Sequence, residues 1–173
     1  MDLKSKLRHV MDFPKEGIDF IDITTVLQDP KALKYAFDAM KEKLESFGDF
    51  DIIVGSEARG FIFGAPLAYV LEKGFVPIRK KGKLPYKSIC VEYELEYGTD
   101  ILEMHIDAIK PGQKVVIVDD LLATGGTTYS NIQLVEKLGG KIVGILYFVE
   151  LTYLKGREKL KDYNVESIVK IDE

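Results

Sequence analysis

The chain has 173 residues, 46% of them hydrophobic and 30% charged, with a formal net charge of −4. That length and balance are those of an ordinary globular protein with one core, and the acidic charge argues against wholesale binding to nucleic acid or an anionic membrane. No window approaches the roughly 20 apolar residues that span a bilayer, MDLKSKLRHVMDF lacks the apolar run of a secretory signal, and a lone cysteine, Cys90, fits a reducing, cytoplasmic setting without a disulfide.

In chain order, Asp29-Pro30 predicts a helix start, with Asp as N-cap and Pro in the first turn. Leu33, Phe37, Met40 and Leu44 follow on one helix face, and Phe47-Gly48 marks the end. Ile52-Ile53-Val54 is a short apolar run of the kind buried on both faces of a parallel sheet. A helix is expected over 60–71 and a second buried strand over 75–78. The period then changes to two. Ile89, Val91, Tyr93 and Leu95 alternate with Ser88, Cys90, Glu92 and Glu94, and Leu102, Met104 and Ile106 alternate again after the turn Tyr97-Gly98-Thr99-Asp100, which reads as an antiparallel hairpin. Pro111-Gly112 turns the chain into a third buried strand, 115–118. A helix over about 127–138 stops at Gly139-Gly140, and strands over 142–149 and 165–171 complete the series. Strands alternating with helices predict an α/β fold: a mostly parallel central sheet flanked by helices, with one inserted antiparallel hairpin. No repeat or linker interrupts the chain, so one domain is expected over 1–173.

The most informative stretch is VVIVDDLLATGGTT, residues 115–128, where a buried strand meets two acids and then a cluster of small residues. In open α/β sheets ligands bind beyond the carboxyl ends of the strands. A helix starting near Thr127 would aim free N–H groups and its positive dipole end into that loop, the glycines would let backbone approach a ligand, and the threonines add donors. These are the features of a phosphate site. It is not a P-loop, because no lysine follows the glycines; GSEARGF, 55–61, has Phe61 where that lysine would stand, and GxGxxG is missing. Asp119 and Asp120 make sense beside a phosphate if the ligand also offers hydroxyls, as a ribose 5-phosphate does.

These residues closely resemble the signature of the type I phosphoribosyltransferases, which bind phosphoribosyl pyrophosphate (PRPP). FPKEGIDFIDIT (13–24), GSEARGFIFGAPLA (55–68), PIRKKGKLPY (77–86), YELEYGTDILEMHIDAIKPG (93–112) and VELTYLKGREKL (149–160) are similar to the adenine-using branch of that family, in order and over nearly the full length. The resemblance implies the reaction adenine + PRPP ⇌ AMP + pyrophosphate, with magnesium carried mainly by PRPP and no direct protein ligand to it. It also implies a homodimer, with Arg59 and Arg79 near the interface, and no nucleic-acid or membrane partner. By position, Ala123, Thr124, Gly125, Gly126 and Thr127 would hold the 5-phosphate, Asp119 and Asp120 the ribose hydroxyls, and Ala58 and Arg59 the pyrophosphate. Arg79, Lys80, Lys81 and Lys83 would belong to a pyrophosphate site and a mobile loop within the lid and hairpin, 79–106. Glu96 would be the general acid/base, with Arg59 beside it in catalysis, and Tyr97 would help close the lid. In the N-terminal base-binding segment, 1–28, Phe20 would stack on adenine, whose edge is read by backbone from Ile18 to Ile21. The chain departs from the family at Ile21, where Arg or Lys is usual. Without the resemblance, Phe20 reads as a core residue and Glu96 as one of three solvent-facing acids with Glu92 and Glu94. Likewise the basic run reads as solvated surface, and Arg59 as a partner for some carboxylate. Another purine base, or a PRPP sensor without catalysis, are the competing readings. His105 and Cys90 read as structural.

Overall fold

The computed structural model describes residues 1–94 and 98–173; the expectations for Leu95, Glu96 and Tyr97 fall outside them. Among the described residues a small antiparallel pair comes first, β1 (Arg8–Met11) and β2 (Asp19–Asp22), followed by α1 (Thr24–Leu27) and α2 (Pro30–Ser46). Then come β3 (Ile52–Ser56), α3 (Arg59–Val70), β4 (Gly74–Lys80), the hairpin β5 (Ser88–Glu94) and β6 (Thr99–His105), β7 (Lys114–Leu122), α4 (Gly126–Lys137), β8 (Lys141–Leu151) and β9 (Val165–Ile171). Seven strands form one sheet in the order β5-β6-β4-β3-β7-β8-β9. The five strands from β4 to β9 pair in parallel, and the hairpin extends the sheet antiparallel beside β4. The α/β fold with its inserted hairpin is the one expected. The β1–β2 pair has no forerunner in the sequence reading, because four-residue strands carry too little alternation to register.

Helix α2 begins where Asp29 caps it: the carboxylate accepts the N–H groups of Lys31 at 2.9 Å and Ala32 at 3.2 Å, and Lys6 Nζ holds its other oxygen at 2.7 Å. The helix ends at Phe47, with Gly48 in the left-handed region at φ +84°. Its buried row is Ala32, Ala36, Met40 and Leu44, while Leu33 and Phe37 flank that row half-buried. The two alanines let the helix axis approach its neighbours. Phe37 then stacks on Phe63 of α3 at 5.5 Å, and Phe63 on Phe148 of β8 at 5.2 Å.

The sheet separates two apolar layers. Val116, Val118 and Phe148 face α2 and α3, while Val115, Ile117 and Tyr147 face the side of α4. Strand β7 is longer than the expected 115–118. Its pairing with β8 continues through Asp119↔Tyr147, Leu121↔Val149 and Leu122↔Glu150, so both acids lie inside the strand and not beyond it. No described helix is long and apolar enough to cross a membrane.

Leu44 is fully buried at the end of α2 far from the carboxyl edge of the sheet. Leu44→Ala should cost roughly 2–5 kcal/mol, read as a lower urea midpoint with an unchanged slope.

Candidate active site

At the carboxyl ends of β3 and β7 a polar cavity of about 390 Å³ opens between the turn Ser56-Glu57-Ala58-Arg59 and the segment 119–128. The Glu57–Ala58 peptide bond is cis. The segment's shape depends on two glycines from distant parts of the chain. Gly125 is left-handed at φ +84°, and a methyl group there would lie 2.8 Å from the carbonyl oxygen of Gly156; a methyl group on Gly156 would run into the Ala123 carbonyl oxygen and Leu122. Backbone therefore packs on backbone, and the loop is held from behind. Gly125 caps α4 without any side-chain hydrogen bond, so the first N–H groups of that helix have no intrahelical acceptor and face the cavity as an anion site. Thr124 and Thr127 are exposed on the cavity wall. The next residue, Thr128, turns inward and accepts the hydroxyl of buried Tyr147, so it serves the core.

Asp119 and Asp120 are 9% and 6% exposed. Strand alternation starts them toward opposite faces, yet the two carboxyls still lie within hydrogen-bonding reach of each other. Asp119 stands on the α4 side. Its Oδ1 accepts the N–H of Asp120 at 2.9 Å, its Oδ2 the hydroxyl of Ser56 at 3.4 Å, and Ser56 in turn accepts Nδ2 of Asn131 at 3.2 Å. A methyl group at Gly60, the second residue of α3, would lie 2.9 Å from Asp119 Oδ1, so any larger residue there would have to push that carboxyl aside. Burial, and after it the charge of Asp120, pushes the Asp119 carboxyl well above the ordinary carboxylate range. Asp120 meets the Arg59 guanidinium, Nε to Oδ2 2.8 Å. That oxygen is buried and makes no hydrogen bond.

Arg59 also lies over the Phe20 ring, 5.6 Å from its centroid, and so reaches into a second cavity. This one, about 410 Å³, is lined by Gly17 to Ile21, Leu121, Ala123, Leu151, Tyr153 and Leu154, and shares Arg59, Leu121 and Ala123 with the first. Phe20 is its aromatic wall, with Phe13 edge-on behind at 5.2 Å. Ile18 is at its mouth, 37% exposed, whereas Ile21 is 4% exposed and packs into the core behind Phe20. The departure at Ile21 is thus a packing residue in this wall.

The structure brings together Ala58, Arg59, Asp119, Asp120 and Ala123 to Thr127 around one cavity, and Ile18, Phe20 and Ile21 around the adjoining one. Arg79, Lys80 and Lys83 line neither among the described residues. Glu57 takes Lys83 Nζ in a short ion pair, Arg79 Nε at 3.4 Å and the Lys80 N–H at 2.7 Å, while the Lys80 ammonium pairs with Asp100 at 3.1 Å. Burial alone would raise the Glu57 carboxyl, but the Lys83 and Lys80 hydrogen bonds hold it below its ordinary range. Glu57 itself lines the polar cavity, so these cations sit one residue behind its wall. Sequence reasoning missed Leu151, Tyr153, Leu154 and Gly156. The stretch VELTYLKGREKL marked that region, but nothing in it says which cavity it backs. Among the described residues no group of three or more His, Cys, Asp or Glu could hold a metal.

The chain matches the phosphoribosyl transferase domain family over residues 22–173. It is 83% identical over 169 residues to the adenine phosphoribosyltransferase of Acetivibrio thermocellus, covering 98% of this chain and 99% of that one. The crystal structure of the adenine phosphoribosyltransferase from Thermoanaerobacter pseudethanolicus superposes with a TM-score of 0.94 at 56% identity, covering 98% of each chain. That of the Saccharomyces cerevisiae enzyme, complexed with an imino-altritol bisphosphate and adenine, superposes at 0.92 with 43% identity over 96% of each. A polar, helix-capped anion cavity joined to an apolar one, on this sheet and at this similarity, has one reading: the chain belongs to the phosphoribosyltransferase family, within its adenine phosphoribosyltransferase branch.

Proposed function

We propose that the chain transfers the 5-phosphoribosyl group from PRPP to adenine, releasing AMP and pyrophosphate in a purine-salvage reaction. The observation that carries this is the pair of adjoining cavities with three shared residues, Arg59, Leu121 and Ala123. One offers helix N–H groups and acids to a sugar phosphate, and the other offers an aromatic face to a flat base. Their boundary is where the ribose C1 and the base nitrogen must meet.

In this reading Ala123 to Thr127 bind the 5-phosphate, with the Thr124 and Thr127 hydroxyls adding donors. Asp120 takes the ribose hydroxyls once Arg59 releases its carboxylate, and Asp119 lies beside it. As the bond from C1 to the pyrophosphate oxygen breaks, positive charge develops on the ribose and negative charge on the leaving group, as in glycoside cleavage. The Asp120 carboxylate suits the former, and Arg59 with the Ala58 backbone suits the latter. Arg59 must leave Phe20 and Asp120 for that role, which clears both the base-stacking face and the ribose acceptor. Adenine nitrogen then bonds to C1 while its proton passes to Glu96. When bound with PRPP, magnesium supplies further positive charge at the pyrophosphate.

Arg79, Lys80 and Lys83 reach the pyrophosphate only by exchanging Glu57 and Asp100 for it, which fits a loop that closes with Tyr97 over the site and keeps water from PRPP. A homodimer belongs to the same reading, and the exposed Ile62, Tyr69 and Val70 on α3 offer it an apolar face. A single cysteine and an acidic surface suit a cytoplasmic enzyme without nucleic-acid or membrane partners.

Purified protein with PRPP and magnesium should release pyrophosphate with adenine and not with hypoxanthine, guanine, xanthine, uracil or orotate; release with a different base would overturn the base assignment. Glu96→Gln should lower kcat by about 10²–10⁴-fold with little change in PRPP affinity, measured by titration calorimetry. The Asp119 carboxyl is raised in the folded chain, so the folded state holds a proton there that the unfolded chain releases above its ordinary carboxylate range. Asp119 therefore favours the fold below that range and opposes it as pH rises through the folded value. Asp119→Asn should be more stable than the parent at neutral pH, lose that advantage on acidification, and bind PRPP more weakly; equal denaturation midpoints at pH 7 would refute the linkage.

A further inference from the structure

We infer that the buried Glu150–Arg157 ion pair is a positioning element that holds one short loop in register for both substrate cavities. This rests on the reaction proposed above. Glu150 is the last but one residue of β8 and 3% exposed. Its carboxylate receives the Arg157 fork, Nε at 2.6 Å and Nη2 at 2.8 Å, and the Ser167 hydroxyl of β9 at 2.6 Å. Arg157 Nη1 donates to the Val165 carbonyl at 2.6 Å. Burial would raise the Glu150 carboxyl, but Arg157 and Ser167 outweigh it and keep it ionised. The pair thus ties both ends of residues 151–156 to the sheet.

That six-residue loop carries two kinds of contact. Leu151, Tyr153 and Leu154 wall the apolar cavity opposite Phe20. Gly156 backs the anion loop so closely that neither it nor Gly125 can carry a side chain without displacement. Neither group of residues forms the pair, and neither Glu150 nor Arg157 lines a cavity. The pair acts through the loop. A shift of the loop would move the base wall and release the phosphate loop together, so one lesion should weaken both substrates. A core residue of equal structural weight elsewhere would weaken neither.

The test is steady-state kinetics with melting temperature on three variants. Arg157→Lys keeps the charge but loses the two-pronged contact and the Val165 bond. Ser167→Ala removes, from outside the loop, the hydroxyl that donates to Glu150 and accepts from Arg157 Nη2 at 3.5 Å, so it reports even if the first variant folds poorly. Leu44→Ala is the control for lost stability. Arg157→Lys should raise KM for PRPP and for adenine together, each roughly tenfold, with kcat at saturation changed much less. Ser167→Ala should move both KM values in the same direction by a smaller factor, and Leu44→Ala should lower only the melting temperature. Parental KM values in Arg157→Lys or Ser167→Ala at a lowered melting temperature, or a rise for one substrate alone, would overturn the inference. A parent protein that releases no pyrophosphate with adenine would instead sink the reaction on which it rests.

Discussion

Two carboxylates stand side by side inside a central parallel strand, where the neighbouring positions are all valine, isoleucine or leucine. Removing an ion from water costs several kcal/mol even after relaxation, so the surroundings have to be built around the acids. Ser56, itself held by Asn131, and the Asp120 N–H receive Asp119, and the second residue of α3 is Gly60, where a methyl group would crowd that carboxyl. Arg59, the first residue of the same helix, balances Asp120. The entry of α3, the turn before it and the end of β7 follow from this one constraint. One buried oxygen of Asp120 makes no hydrogen bond and meets only the Arg59 guanidinium in an ion pair, and Asn131 Oδ1 has no hydrogen-bond partner among the described residues.

The second constraint is the backbone contact between Gly125 and Gly156. The left-handed residue that turns the chain into α4 leaves the helix N-terminus bare of side chains, and the glycine opposite it allows the loop to rest on main chain. The site's anion end is therefore made of peptide groups, whose positions are set by the chain itself and not by rotamers. Because Gly156 belongs to the segment that also forms the apolar wall, the polar and apolar cavities share a support. Arg59, a half-exposed side chain, lines both cavities.

Legibility in the sequence followed the range of the forces involved. The three longer helices, the parallel strands and the hairpin were readable from periodicity, and the limits of α2 from Asp29-Pro30 and Gly48, because caps and amphipathic faces act within a few residues. Even there, the buried row of α2 runs through Ala32 and Ala36, since the packing partner, the Phe63–Phe148 stack, lies far along the chain. The turn into α4 was legible for the same local reason: glycines, threonines and a following helix are contiguous.

What the chain alone determined, then, was the order and kind of elements, the small-residue loop at 123–127 and, through resemblance, the family. Only the tertiary structure decided that Asp119 meets Ser56 while Asp120 meets Arg59, that Arg79 and Lys83 rest on Glu57, and that Arg59 joins two cavities. It alone placed Leu151 to Gly156 behind both. Each of these joins residues tens of positions apart across a parallel sheet, where neighbouring strands are separated in sequence by whole crossover helices. The pairing register that brings Asp119 beside Tyr147 and Leu122 beside Glu150 has no counterpart in local spacing.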